Sequence, residues 1–253
     1  MENMTLQTVD RALTVLELIA EQPRSQQDIE RALGLNRTTA NRLINTLLQR
    51  KYLEKNPNTG LYQVGLKTVE IASVRLNHIE LKTESAPLLR ALSMALNQVC
   101  HMGILDEGEV VYIEKIEPIG FMRMFSAIGK RASVHSTSLG KVLVSALNDN
   151  EIRTLLQKIG MKRYTKHTMT DIDEYIEDIH QVRKRGYAFD NEENEEGIHC
   201  VAAPIIDYRN KIVAAISTSG SEKRSTEQEI ELIRQVTQTA KQISQLLGAT
   251  SSL

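Results

Sequence analysis

The sequence predicts an α+β protein in two unequal parts, and three observations carry that reading. The first eighty residues show a helical period that ends in two short strands around a Pro/Asn/Gly turn. Beyond them, strands joined by short turns alternate with grouped helices, the pattern of a sheet with helices segregated from its strands. At 253 residues, 41% hydrophobic and 25% charged, the chain is long enough for one large core or two modest ones.

In the first part, Val9, Ala12, Leu13, Leu16, Ile19 and Ala20 form an apolar stripe for a helix over about 5–21, stopped by Pro23. Ser25 suits an N-cap with Asp28 as its capping-box partner, for a short helix that turns Ile29, Ala32 and Leu33 inward. Gly34 fits the left-handed C′ position, and Asn36 caps the next helix. In "GLNRTTANRLINTLLQRKYL", Ala40, Leu43, Ile44, Leu47 and Leu48 make the buried face. Thr38, Asn41, Arg42, Asn45 and Gln49 make the opposite one, on which every side chain can donate a hydrogen bond and none is acidic. "KYLEKN", "PNTG" and "LYQVG" then read as a hairpin wing.

The chain's formal net charge is −1, so a polyanion partner needs a local site. Residues 36–55 supply one, with five basic residues (Arg37, Arg42, Arg50, Lys51, Lys55) against the single acid Glu54. Asn and Arg on the N-terminal half of such a helix read base edges in the major groove, while hydroxyls steady phosphate. Residues 66–84 read as a linker helix, so the expected division is 1–65, a 66–84 linker and 85–253.

In the second part, Pro87 suits the first turn of a helix over about 86–97. Strands follow at "VCHMGIL", "VVYIEKI" and "FMRMFS", then helices from "STSLGKVLVSAL", at 149–159 and at 171–185. Strands return at "IHCVAAPIID" and "KIVAAISTSG", and a helix over 225–247 closes the sequence, with Ile230, Ile233, Val236, Ala240, Ile243 and Leu247 on one face. His135, Ser136, Thr137 and Ser138 stand at a helix start, which suits either an anion or plain N-capping by Ser136 or Thr137. Ser217 and Ser219 face one side of their strand. "DNEENEEG" reads mostly as a solvated acidic loop, with Asp190 and Cys200 set apart because each abuts an apolar strand.

Two alternatives use the same residues. Asp190 and Cys200 with His101 or His135 offer metal-ligand chemistry, and Cys200 with His135 or His199 a nucleophile pair. No spacing supports either, and the sequence lacks Walker, GxGxxG and HExxH motifs, so no cofactor and no enzyme is expected. Two isolated cysteines, no apolar run near 20 residues and an N-terminus without a signal-peptide core lead to a cytoplasmic expectation without a membrane partner.

The chain resembles the IclR family of bacterial transcriptional regulators over nearly its whole length. "VDRALTVLELI" with "GLNRTTANRLINTLLQRKYLEKNPNTGLYQVGLK" is similar to that family's winged helix-turn-helix. "GKRASVHSTSLGKVLVSAL" and "GYAFDNEENEEGIHCVAAPIID" are similar to signature segments of its effector-binding domain. The resemblance implies a GAF-like effector domain, a dimer or dimer of dimers on a palindromic operator, and a small carboxylate effector. It is nearest to regulators of sugar-acid catabolism such as that of 2-keto-3-deoxygluconate, implying a repressor of a carbohydrate-acid operon. The implied DNA contacts are Arg11, Ser25, Arg37, Thr38, Thr39, Asn41, Arg42, Asn45, Lys51, Asn58 and Tyr62. The implied effector pocket is Phe121, Met124, Ala132, Ser138, Leu139, Asp190, Ile198, Cys200, Ser217 and Ser219, the effector being held at the Ser136–Lys141 helix start.

Overall fold

The computed structural model describes residues 6–77, 80–118, 126–221 and 225–249, with backbone alone at 74–77 and 80. The chain divides into two compact units, Met1–His78 and Ile79–Leu253.

The first unit contains α1 (Gln7–Glu21), α2 (Gln26–Leu33), α3 (Arg37–Gln49), β1 (Leu53–Lys55), β2 (Tyr62–Val64) and α4 (Leu66–Asn77). Its punctuation follows from local chemistry. Ser25 and Asp28 form the expected capping box, Gly34 takes the left-handed conformation, and Asn36 Oδ1 accepts from Thr39 N at 2.9 Å. The antiparallel hairpin pairs Glu54 with Gln63 and is joined by Arg24, which exchanges backbone hydrogen bonds with Tyr62. Val15, Ile19, Ile29, Ile44, Leu47, Leu53 and Tyr62 share one core.

The helical stripe of α1 is thereby corrected. Val9 and Leu13 are 54% exposed, while the core keeps Ile19 of the expected stripe and adds Val15. The buried line is rotated from the stripe that period alone predicts, because α1 packs through a narrower contact than its apolar residues span.

The second unit contains α5 (Glu80–Leu96), β3 (Val99–Asp106), β4 (Glu109–Ile116), β5 (Arg131–Ser133), α6 (Ser138–Val144), α7 (Asp149–Ile159), α8 (Ile172–Arg185), β6 (Ala188–Asn191), β7 (His199–Ile206), β8 (Ile212–Gly220) and α9 (Thr226–Leu246). Its six strands form one antiparallel sheet in the order β5-β4-β3-β8-β7-β6. One face carries Cys100, Met102, Val201, Ala203 and Ile216 into a core with α5 and α9. The other carries Val110, Ala188, Ala202 and Ala215 into a core with α6, α7 and α8.

Several expectations change here. The helix is already formed at Glu80, so Pro87 lies within α5 and not in its first turn. Of the linker helix expected over 66–84, residues 66–77 are helical as α4 and 80–84 as the start of α5, with 78–79 outside the described residues. β5 and β6 are additional to the expected strands, being only three and four residues long. The strand expected at "FMRMFS" falls almost wholly outside the described residues. On α9, Ile230 is 61% exposed and Leu232 replaces it in the core.

α6 leaves no room on one side. A Cβ on Gly140 would overlap the backbone of Val134, so the helix lies directly against the segment leading into it. Gly140→Ala should therefore destabilise this unit by about 1–3 kcal/mol or more, read as a lower midpoint of chemical unfolding.

Candidate functional site

Two surfaces concentrate chemistry, one on each unit. On the first, α3 turns Ala40, Leu43, Ile44 and Leu47 inward, leaving Arg37, Thr38, Asn41, Arg42, Asn45 and Gln49 exposed and Thr39 half-buried. Asn45 Nδ2 donates to Asn41 Oδ1 at 3.2 Å, which aligns the two amides one turn apart. Among the described residues, Arg37, Arg42, Arg50, Lys51 and Lys55 enter no ion pair. Glu70 lies near enough for Lys51 to lower its carboxyl, but among the described residues the group as a whole holds no salt bridge, the state that attracts phosphate.

The other candidates on this unit divide. Lys51 and Asn58 are exposed and Arg11 is half-buried. Ser25 is engaged as a cap, its Oγ donating to Asp28 Oδ2 at 2.6 Å. Tyr62 is corrected: its side chain is only 8% exposed and belongs to the core, because the pleat of β2 turns it inward. Its ring is unavailable for a groove contact.

On the second unit, alternation along the strands builds a polar floor. Asp190 on β6 pairs with Cys200 on β7, which pairs with Ser219 on β8. In the next row, Ala202 pairs with Ser217, which pairs with His101 on β3. Both rows face α6, and with it they enclose a cavity of about 240 Å³. Of the implied pocket residues, Ala132, Ser138, Leu139, Asp190, Ile198, Cys200, Ser217 and Ser219 all line it. Phe121 and Met124 lie outside the described residues. A larger groove of about 530 Å³ runs along α9 and β7, but no titratable group buried in the core opens onto it.

The implied pocket omitted His101, which the sequence reading had weighed only as a metal ligand, and the sequence reading missed Tyr112, Tyr164 and Asn194; all four line the cavity. His101 and Tyr112 could have been found from strand alternation, since both point to the serine side; Tyr164 and Asn194 sit in irregular segments with no period to read. Tyr164 Oη and Ser133 Oγ are 2.6 Å apart at the cavity wall. Thr165 and Thr168 hold the same segment down, donating to the carbonyls of Glu192 and Glu193 at 2.6 Å.

The helix start takes the N-capping form, one of its two expected readings. Thr137 is the N-cap of α6, while Ser136 donates to Asn194 Oδ1 at 3.0 Å. Lys141 is 1% exposed and does not line the cavity; its Nζ reaches Glu193 Oε1 at 2.7 Å and Asp178 Oδ2 at 2.9 Å. Glu193 is therefore no part of a solvated loop, and burial pushes its carboxyl up despite the opposing pull of Lys141.

Asp190 is 2% exposed. Its Oδ1 accepts from Glu193 N at 2.8 Å and Asn194 N at 3.3 Å. Burial raises its carboxyl to about 7, a rise the two backbone hydrogen bonds only partly oppose and the nearby Glu193 reinforces. His101, held by Ser126 Oγ at 2.7 Å, is depressed by burial to about 3 and is neutral.

Neither alternative chemistry assembles. Cys200 Sγ lies 3.1 Å from Ser219 Oγ. His135 lies outside the cavity lining, its Nε2 2.9 Å from the Lys162 carbonyl, and the nearest acid to His199 is Glu192 at 3.7 Å. No group of three or more His, Cys, Asp or Glu suited to a metal occurs among the described residues.

A winged helix offering an acid-free, donor-rich helix to solvent, carried in one chain with a sheet domain that encloses a polar cavity, defines a DNA-binding transcription regulator with a separate sensing domain. Comparison with known proteins agrees. Residues 8–57 match the IclR helix-turn-helix domain, and residues 74–245 match the family described as bacterial transcriptional regulator IclR C-terminal. The chain is 36% identical over 246 residues to the HTH-type transcriptional regulator XynR of Escherichia coli, covering 96% of this chain and 98% of that one. It is 31% identical over 222 residues to the regulator KdgR of the same organism, covering 87% and 84%. The crystal structure of Thermotoga maritima IclR superimposes with a TM-score of 0.81 at 28% identity, covering 96% of this chain and all of that one. The chain belongs to the IclR family of transcriptional regulators. These families and relatives are regulators and not enzymes, so the cysteine-nucleophile alternative falls.

The buried carboxyl has a stability consequence. Below the ordinary value of 3.8 both folded and unfolded chains hold the Asp190 proton, so no difference arises. Between 3.8 and about 7 the unfolded chain gives it up first, so stability falls as pH rises, and it stays at the lower level above that. Asp190→Asn should remove this penalty, which at about 1.4 kcal/mol per unit is at most ~4 kcal/mol. The gain in melting temperature over wild type should be larger at pH 8 than at pH 5.

Proposed function

We propose that this protein represses an operon for catabolism of a sugar acid or related small carboxylate, releasing its palindromic operator when that carboxylate fills the sensing cavity. The observation that carries the reading is the exposed, acid-free face of α3 with its unpaired cations. On it, Arg37, Asn41, Arg42 and Asn45 read base edges in the major groove, while Thr38, Thr39, Lys51 and Asn58 hold backbone phosphate. Arg11 and Ser25 add backbone contacts.

Residues 1–65 serve as the reader, 66–84 as the lever and 85–253 as the sensor. Because one recognition helix covers few base pairs, the working unit is a dimer or dimer of dimers. In the sensor, Ser138, Ser217, Ser219 and Asp190 supply polar contacts, and Leu139 and Ile198 the apolar walls. That mixture suits a hydroxylated acid better than an aromatic one. To act, the effector must favour the non-binding state; a tenfold preference corresponds to about 1.4 kcal/mol of coupling. Work on an operator places the protein in the cytoplasm, in keeping with the lack of any membrane-crossing helix among the described residues.

Fluorescence anisotropy against DNA upstream of its own gene tests the reader. Affinity should fall steeply with salt, and Arg42→Ala should cost about 1–3 kcal/mol if it contacts a base. Affinity insensitive to salt defeats the DNA reading. A thermal-shift screen of sugar acids and keto acids tests the sensor, since a ligand of the folded state raises the melting temperature.

A further inference from the structure

We propose that the cavity binds its carboxylate effector together with one proton, Asp190 meeting the ligand as a carboxylic acid whose Oδ2–H donates to a ligand carboxylate oxygen. This deepens the reading of the cavity as a small-carboxylate sensor and rests on it. A buried acid on the floor of an anion site is otherwise a contradiction. Two carboxylates side by side away from water repel strongly, whereas one proton shared between them turns repulsion into a charge-assisted hydrogen bond.

The geometry suits the acid form. Oδ1 is committed to the N–H groups of Glu193 and Asn194, which fix the carboxyl plane. Oδ2 has no hydrogen-bond partner among the described residues, and Asp190 lines the cavity. It is the oxygen left to carry a proton toward a ligand.

Among the described residues, the surrounding charges do not replace that proton. From α6, Lys141 is held by Glu193 and by Asp178 of α8. On β6 and its following loop, Glu193 and Glu195 add negative charge, and His199 of β7 is turned to Glu192. Facing it across the sheet are Cys200 of β7, Tyr112 of β4, whose hydroxyl burial pushes up, and His101 of β3, which burial keeps neutral. At the rim, Arg131 is committed to Asp106 and Glu109, and Lys130 is itself engaged. The elevated carboxyl of Asp190 means that the proton is taken up readily near neutral pH.

The balance is simple. One proton passes from solvent to Asp190 Oδ2 for each carboxylate bound, with no covalent change. A neutral polyol would instead donate its hydroxyls to ionised Asp190, and its affinity would rise with pH.

Calorimetric titration of the full chain with glyoxylate, pyruvate, D-gluconate and D-galacturonate, from pH 6 to 9 and in buffers of different ionisation heat, decides between these. For any of the four that binds, the expected result is close to one proton taken up at pH 8 and affinity falling about tenfold per pH unit above pH ~7. Asp190→Asn should show neither effect. Binding without proton uptake, or affinity that rises with pH, overturns the proposal. Should the variant fail to fold, the wild-type proton count decides alone. If none of the four acids binds, the carboxylate-sensor reading itself fails and takes this inference with it.

Discussion

Lys141 and Glu193 form an ion pair 2.7 Å long between two nearly inaccessible side chains, and the geometry of the cavity depends on it. Lys141 belongs to α6, which supplies Ser138 and Leu139 to one wall. Glu193 belongs to the loop after β6, which supplies Asn194 and Ile198 to another and whose backbone holds Asp190. Losing Lys141 would leave Glu193 a buried charge without its cation, a cost of about 3–5 kcal/mol, whereas losing Glu193 would leave Lys141 to Asp178 alone. The pair thus ties a helix to a loop 52 positions away and forbids the two walls from drifting apart.

Around that tie the second unit uses one device repeatedly. The alternation that buries Val201 and Ala203 on one face of β7 turns Cys200 and Ala202 to the other. Near one end of the sheet that other face becomes polar, and there the cavity opens. The cavity is therefore a local change of residue type on an otherwise ordinary sheet face, roofed by α6 and by a segment pinned through Thr165 and Thr168.

The two units divide electrostatic labour. The chain is nearly neutral, yet residues 36–55 hold five cations against one acid, and those cations enter no ion pair among the described residues. In the sensing unit the opposite holds: its buried cation, Lys141, is engaged by two carboxylates, and the cavity floor carries an acid. A polyanion is thus drawn to the exposed face of α3.

Much of this was written locally. Caps at Ser25 and Asn36, the left-handed Gly34 and both faces of α3 follow from interactions within a few residues, so the sequence determined them by itself. The same holds for the residue types at Ser217, Ser219, Asp190 and Cys200, legible because strand alternation sorts them. Tertiary structure alone decided the rest. Tyr62 went to the core because hairpin pairing set the direction of its pleat. β5 and β6 are too short to nucleate a pattern and exist because β4 and β7 offer open edges. Lys141 and Glu193 look solvated in the sequence, and only the fold removes both from water and makes them each other's partner.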